Sequence, residues 1–385
     1  MKEQTKKLCI LGSTGSIGRQ TLDVVRQSAG AYEVTGLAAG SGGKALEAQI
    51  REFRPRRVCL FQEEAARDLR QRLGDMSAPP EVLSGMEGLR ALIQEEIADI
   101  YAVSISGMIA LKPTLWAIET GARIALSNKE SIVTAGHLMM EAVTRCGAEL
   151  IPVDSEHSAV FQCLAGEDKK AIRQLLITAS GGPFRGWSRQ KLAAVTPAMA
   201  LKHPNWAMGA KITVDSATLA NKGLEVMEAH HLFGVDYEQI RVAVHPQSII
   251  HSMVEFRDGA VKAQLGVPDM RLPIEYALGY PERGGLMTRA LDFWDMPDLH
   301  FEKPDTETFP ALALAYQAGR SGGTMPTVFN MADEQAVAAF LREEISFPAI
   351  TEAIGEAMAR HRVNLNPSID EILALQEEMT ERRRR

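Results

Sequence analysis

Gly12-Ser13-Thr14-Gly15-Ser16-Ile17-Gly18 constrains the fold of this chain more than any other segment. It follows the apolar run Leu8-Cys9-Ile10-Leu11 and precedes a helical pattern through Leu22, Val24 and Val25. A buried strand, a glycine turn and a helix, in that order, open a dinucleotide-binding βαβ unit. The G-x-x-G-x-x-G spacing lets the backbone turn tightly and approach a pyrophosphate seated on the helix N-terminus. Short apolar runs recur at Glu33–Ala38, Val58–Phe61, Ile100–Ser104 and Ile124–Leu126, with helical patterns between them. That alternation predicts a parallel sheet with right-handed crossovers. Residues 1–150 are therefore expected to form a doubly wound, Rossmann-type α/β domain.

The end of the second expected strand bears on the cofactor. An NAD site places Asp or Glu there, about 20 residues past the glycines, to hold the ribose hydroxyls. This chain reads Ala38-Ala39-Gly40-Ser41-Gly42-Gly43-Lys44. Nothing there repels a 2′-phosphate, and small residues, exposed N–H groups and one lysine favour NADP.

Near residue 150 the pattern changes. Residues 151–280 mix polar segments with candidate strands at Ile240–Val244, Ile249–Phe256 and Ala260–Leu265, the last two flanking a hairpin turn at Arg257-Asp258-Gly259. This predicts a central α+β domain. Residues 281–308 carry Pro281, Pro297 and Pro304 and few periodic apolar positions, which suggests a linker. Residues 309–385 read as a C-terminal helical domain, where Ser368 and Glu371 have capping-box spacing.

The chain has 385 residues and a net charge of −7, with 45% hydrophobic residues. That length suits two or three domains, and the acidic balance argues against nucleic-acid partners. No stretch approaches the roughly 20 apolar residues that span a bilayer, and the N-terminus lacks signal-peptide features. Cys9, Cys59, Cys146 and Cys163 show no C-x-x-C spacing, which points to a reducing cytoplasm.

Two stretches carry the candidate chemistry. In Pro152-Val153-Asp154-Ser155-Glu156-His157, Asp154 and Glu156 would share one face of an extended strand. With Glu225 or Glu228 they would make a hard-cation site of the Mg²⁺ or Mn²⁺ type. Glu225 and Glu228 share a helix face, so spacing does not choose between them. The second stretch, His203 to Glu228, places Trp206, Lys211, Asp215, Ser216, Thr218, Asn221 and Lys222 close together. Ser216, Asn221 and Lys222, like Thr178-Ala179-Ser180-Gly181-Gly182, offer hydroxyls, N–H groups or an ammonium suited to a phosphate.

These motifs, with Ser127-Asn128-Lys129-Glu130-Ser131, Ala179–Arg185 and His245-Pro246-Gln247-Ser248-Ile249-Ile250-His251-Ser252, give the chain a resemblance to the 1-deoxy-D-xylulose 5-phosphate reductoisomerase family. The resemblance covers nearly the whole chain. It implies reduction and isomerisation of a phosphorylated sugar in non-mevalonate isoprenoid synthesis, with NADPH and Mg²⁺ or Mn²⁺, Co²⁺ being a further candidate. By resemblance, Asp154, Glu156 and Glu225 are the metal ligands. Lys129, Ser155 and Glu156 line the reacting centre. Ser180, Ser216, Asn221 and Lys222 meet the substrate phosphate and its surroundings. His203, Trp206 and Met208 belong to a lid, and His203 joins the catalytic set. Thr14, Gly15, Ser16, Ile17, Asn128, Glu130 and Gly209 contact NADPH, with Gly40, Ser41 and Gly42 at its 2′-phosphate. The family often carries a basic residue and Asn where this chain has Ser41-Gly42. A cytoplasmic homodimer is implied as well.

Overall fold

The computed structural model describes residues 5–41, 43–95, 97–202, 206 and 208–384, with side chains through 381. Gly42 and His203 lie outside the described residues. The chain divides into two compact units, one of Met1–Ser131, Met139–Ser158 and Asp269–Ala290, the other of Ile132–Leu138, Ala159–Pro268 and Leu291–Arg385.

The first unit holds a seven-stranded sheet. Its strands are β1 (Lys6–Leu11), β2 (Tyr32–Ala39), β3 (Arg57–Leu60), β4 (Glu81–Ser84), β5 (Ile100–Val103), β6 (Arg123–Leu126) and β7 (Glu149–Pro152). They run parallel in the order β4-β3-β2-β1-β5-β6-β7. The central strands are covered on both faces, so Leu8, Ile10 and Leu11 of β1 and Tyr101 and Val103 of β5 are all fully buried. Strands β4 and β7 are not legible in the sequence because both are four-residue edges with a mixed burial pattern. The strand order reverses at β1. From there the chain moves to β2 on one side, and β5 pairs on the other. In open α/β sheets ligands bind at such a switch point, outside the carboxyl ends of the strands. The helix Arg271–Gly279 packs on the helix Ser16–Gln27 and completes this unit.

The second unit is built on a four-stranded sheet ordered β11-β10-β8-β9. Here β8 is Ile172–Ala179, β9 Ile240–Val244, β10 Ile250–Phe256 and β11 Val261–Leu265. The expected hairpin is present: β10 pairs antiparallel with β11, and Gly259 takes φ +87° in the turn. Helices Ala220–Phe233, Ala311–Ser321, Met325–Leu341 and Phe347–Arg360 pack around a core that includes Phe329, Phe340 and Phe347. Burying each such ring contributes roughly 1.5–3 kcal/mol. Gly223 lets two helices close up, because a Cβ there would lie 2.4 Å from the Ala315 Cβ. The C-terminal helix Ile369–Arg384 has the expected capping box: the Glu371 N–H donates to Ser368 Oγ at 3.3 Å and the Ser368 N–H donates to Glu371 at 2.8 Å. Between Pro281 and Thr308 there is no helix or strand among the described residues, apart from a bridge between Glu302 and Val244.

Candidate active site

The glycine turn sits at the switch point. Gly12 takes φ +95°, and a Cβ on it would lie 2.6 Å from the Ser104 carbonyl oxygen beyond β5. A Cβ on Gly18 would lie 2.3 Å from the Gly12 carbonyl oxygen. Only glycine permits this approach of strand, turn and helix. Gly15 and Ser16 are exposed at the N-terminus of the helix Ser16–Gln27, and Thr14 and Ile17 are half-buried beside them. A residue the sequence did not single out holds the turn in place: Ser13 Oγ donates to the Gln49 side chain at 2.7 Å, and Gln49 donates back to the Ser13 carbonyl at 2.9 Å. Gly40 and Ser41 are exposed just past β2. The helix Gly43–Phe53 begins two positions after Ser41.

Asn128 caps the long helix Lys129–Cys146, accepting from the Ser131 N–H at 2.9 Å. Its amide donates to the Ile105 carbonyl at 3.0 Å and to Glu130 at 2.7 Å. The cap thereby fixes Lys129 and Glu130 at the carboxyl end of the sheet. Lys129 reaches the Asp154 carboxylate in an ion pair whose side chains are only 10% and 14% exposed.

The local geometry of Asp154 and Glu156 differs from the extended strand expected. β7 ends at Pro152, and a helix runs from Ser155 to Cys163. Asp154 precedes that helix and accepts from the Glu156 N–H at 3.2 Å. A short polar side chain at a helix start satisfies an orphan N–H, and this local capping overrides the strand pattern. Ser155 Oγ donates to Glu156 at 2.6 Å, and His157 Nδ1 lies 3.6 Å from Asp154. His157 is fully buried.

In the second unit, Ser180, Gly181 and Gly182 follow β8. Gly181 and Gly182 take φ +85° and +68°, and the Gly182 N–H donates to Ser180 Oγ at 3.2 Å. The Thr178 hydroxyl is not available to a phosphate, since it donates to the carbonyls of the neighbouring strand, at 2.6 Å for His251. Ser216 lies on the helix Ala210–Thr218, which Gly209 precedes. Leu219, at φ +64°, joins that helix to Ala220–Phe233. A left-handed conformation at a non-glycine residue costs about 1–2 kcal/mol. It is held here by the packing of both helices, and it sets Asn221, Lys222 and Glu225 just beyond Ser216. Glu225 is 1% exposed, is ion-paired with Lys222, and accepts from the Asn221 amide at 2.5 Å. Trp206 is half-buried, with its ring 6.2 Å from that of His251. His245, part of a quoted motif without an assigned role, proves structural. Its Nε2 accepts from the Ile249 and Ile250 N–H groups, each at 3.2 Å, while Nδ1 donates to the His300 carbonyl at 2.9 Å.

Three family models match in succession. Residues 8–136 match 1-deoxy-D-xylulose 5-phosphate reductoisomerase, residues 150–233 its C-terminal domain, and residues 265–382 a further DXP reductoisomerase C-terminal domain. The 1-deoxy-D-xylulose 5-phosphate reductoisomerase of Desulfitobacterium hafniense (strain Y51) is 53% identical over 358 residues, covering 93% of each chain. The solved reductoisomerase of Zymomonas mobilis in complex with NADPH superposes with a TM-score of 0.92 at 41% identity, covering 98% of this chain and 97% of that one. A DOX-P reductoisomerase in complex with NADPH, fosmidomycin and magnesium gives a TM-score of 0.93 at 37% identity, with 98% and 97% covered. The glycine turn at the switch point, the capped Lys129 and the buried Glu225 thus stand in a chain that belongs, along nearly its full length, to the 1-deoxy-D-xylulose 5-phosphate reductoisomerase family.

Proposed function

We propose that this chain converts 1-deoxy-D-xylulose 5-phosphate to 2-C-methyl-D-erythritol 4-phosphate, with NADPH as reductant and a divalent cation as cofactor. The observation that carries this reading is the presence, in one chain of the family, of the close-packed Gly12–Gly18 turn and of Asp154, Glu156 and Glu225, each held by its own donors. All three carboxylates offer hard oxygen donors, which fits Mg²⁺ or Mn²⁺. Asp154, Glu156 and Glu225 would hold the ion, and a bound ion supplies Lewis-acid polarisation of the substrate's ketone and neighbouring hydroxyl.

The remaining steps belong to side chains. Lys129, nearly buried beside Asp154, holds a proton next to the reacting oxygens. Ser155 orients Glu156. Ser180, Ser216, Asn221 and Lys222 grip the phosphate, so binding energy remote from the reacting carbons orients them. One carbon–carbon bond migrates to give an aldehyde. Hydride from NADPH and a proton then reduce it to the alcohol, leaving NADP⁺. Thr14 to Ile17, Asn128, Glu130 and Gly209 contact the nucleotide, and Gly40 to Gly42 meet its 2′-phosphate. His203, Trp206 and Met208 close over the substrate and exclude water. On this reading residues 1–150 bind the nucleotide, 151–280 carry metal and substrate, 281–308 link, and 309–385 buttress.

The protein is further read as a cytoplasmic homodimer. Leu286, Phe293 and Trp294 are 75%, 64% and 98% exposed, apolar side chains that a second copy would cover. β11 is an unpaired sheet edge with Val261 exposed. None of the four cysteines is in a disulfide, as suits a reducing compartment, and burial pushes the Cys59 and Cys163 thiols up to about 12 and about 11. No helix among the described residues is long and apolar enough to cross a membrane. The decisive assay is loss of NADPH absorbance on adding 1-deoxy-D-xylulose 5-phosphate, with and without a chelator. Turnover unaffected by chelation, or no turnover with metal present, overturns the reading. Sedimentation at working concentration tests the dimer.

A further inference from the structure

Lys211 and Asp215 belong to the polar stretch that marks the site, yet neither is among the residues assigned to substrate or cofactor. Lys211 lies in the first turn of the helix Ala210–Thr218, and Asp215 lies one turn on. The Lys211 ammonium donates to Asp215 Oδ2 at 2.6 Å and to Asp333 Oδ2, on the helix Met325–Leu341, at 2.8 Å. Asp215 is 2% exposed and Asp333 is fully buried. One ammonium therefore faces two buried carboxylates. In each of them the other oxygen, Oδ1, is buried without a hydrogen-bond partner among the described residues.

A buried acceptor without a donor costs about 1–3 kcal/mol, and two adjacent buried carboxylates do not both ionise readily. A single proton removes both difficulties. It turns one carboxylate into a donor to the other and leaves the group of three electrically neutral.

We propose that Lys211, Asp215 and Asp333 form a latch in which one proton is shared between the two carboxylates, and that this latch positions Ser216 for the substrate phosphate. The second half rests on the assignment of Ser216 to that phosphate. Asp215 is the residue before Ser216, and Lys211 follows the lid segment by two residues after Gly209. The latch thus ties the helix that begins at the lid and carries Ser216 to a helix of the unit's core. Burial first, and then the neighbouring Asp333 charge, hold Asp215 well above the usual carboxylate range against the opposing pull of Lys211. Of the helices packed against it, Pro197–Ala200 carries no ionisable side chain, and on Ala220–Phe233 the nearby Lys222 and Glu225 pair with each other. Among the described residues, Lys211 and Asp333 are the charged groups that act on Asp215.

Two readouts test the two halves. Infrared difference spectra at neutral pH should show a protonated-carboxyl carbonyl band that vanishes in Asp215→Asn or in Asp333→Asn. Its absence from the unsubstituted protein overturns the shared proton. KM for the sugar phosphate and for NADPH should then be followed from neutral to alkaline pH. Loss of the shared proton should raise the sugar-phosphate KM about tenfold while leaving NADPH unmoved. Asp215→Asn should keep the neutral-pH KM within about threefold and lose the alkaline rise, because its amide donates without titrating. Asp333→Asn serves the same test if Asp215→Asn fails to fold. The same alkaline rise in these variants overturns the latch. Ser216→Ala with an unchanged sugar-phosphate KM overturns the phosphate assignment and the coupling, while the infrared band still decides the shared proton.

Discussion

Gly182 lies directly against the backbone of Ser216. A Cβ at Gly182 would lie 2.8 Å from the Ser216 carbonyl oxygen and 3.0 Å from the Ala217 Cα. Two segments 34 residues apart, each of a composition suited to a phosphate, are thereby brought into contact through a glycine at φ +68°.

Gly182→Ala should separate those segments. The left-handed backbone adds about 1–2 kcal/mol of strain for an L-residue, and the contact itself forces movement. The sugar-phosphate KM should rise about tenfold or more, with the NADPH KM changed by less than about twofold. Steady-state kinetics with each substrate varied in turn decide it, and equal effects on both KM values count against a phosphate-specific role.

Removing the divalent cation should abolish turnover, and Mg²⁺ or Mn²⁺ should restore it. Glu225→Gln should lower kcat about a hundredfold or more, since a neutral amide is a poor ligand for a hard cation. It also leaves the buried Lys222 without its carboxylate, so a fall in thermal stability of about 3–5 kcal/mol should accompany it. Calorimetric Mg²⁺ titration separates the two effects, and unchanged affinity in Glu225→Gln would remove this residue from the ligand set.

Acid should destabilise the protein through His231. Its ring packs where a Gly136 Cβ would otherwise sit, 2.4 Å from the His231 Cγ. Burial first, then His230 and His137, lower its pKa from 6.5 to about 3. The folded state thus holds the neutral ring while the unfolded chain binds a proton. The stabilisation is full above pH 6.5 and is lost as pH falls through that value towards about 3. The slope contributed is at most about 1.4 kcal/mol per pH unit. Melting temperature against pH for His231→Asn should show a flatter acid limb, and a limb identical to that of the unsubstituted protein rejects the idea.

Preference for NADPH over NADH should persist but be sensitive to salt. No carboxylate follows β2, and Ser41 is exposed there. The guanidinium of Arg72, which packs against Gly43, is already paired with Glu47 at 3.2 Å and Asp68 at 3.0 Å. It therefore adds little net charge for a 2′-phosphate. Ser41→Arg should strengthen the preference about tenfold, the worth of one charge-assisted contact of roughly 1.5 kcal/mol or more. Fluorescence titration of both cofactors at low and high salt measures this, and no change in their ratio excludes the segment as the determinant.

Much of this was legible in one dimension because the signals are local. The Gly12–Gly18 turn, the apolar runs of the central parallel strands, the hairpin at Arg257–Gly259 and the capping box at Ser368 each depend on residues a few positions apart. The residue types suited to a cation and a phosphate were legible for the same reason, since chemistry limits which side chains serve. Tertiary structure decided what depends on distant partners. The short edge strands β4 and β7 exist because a neighbouring strand pairs with them. Asp154 and Glu156 stand at a helix start rather than along a strand because Asp154 caps the orphan Glu156 N–H after β7 ends. Gln49 reaches Ser13, Gly182 meets Ser216, and Asp333 shares the Lys211 ammonium with Asp215 across separations no periodicity encodes. The physical reason is common to all of them. A buried polar group must find a partner somewhere, but only the folded chain determines which one.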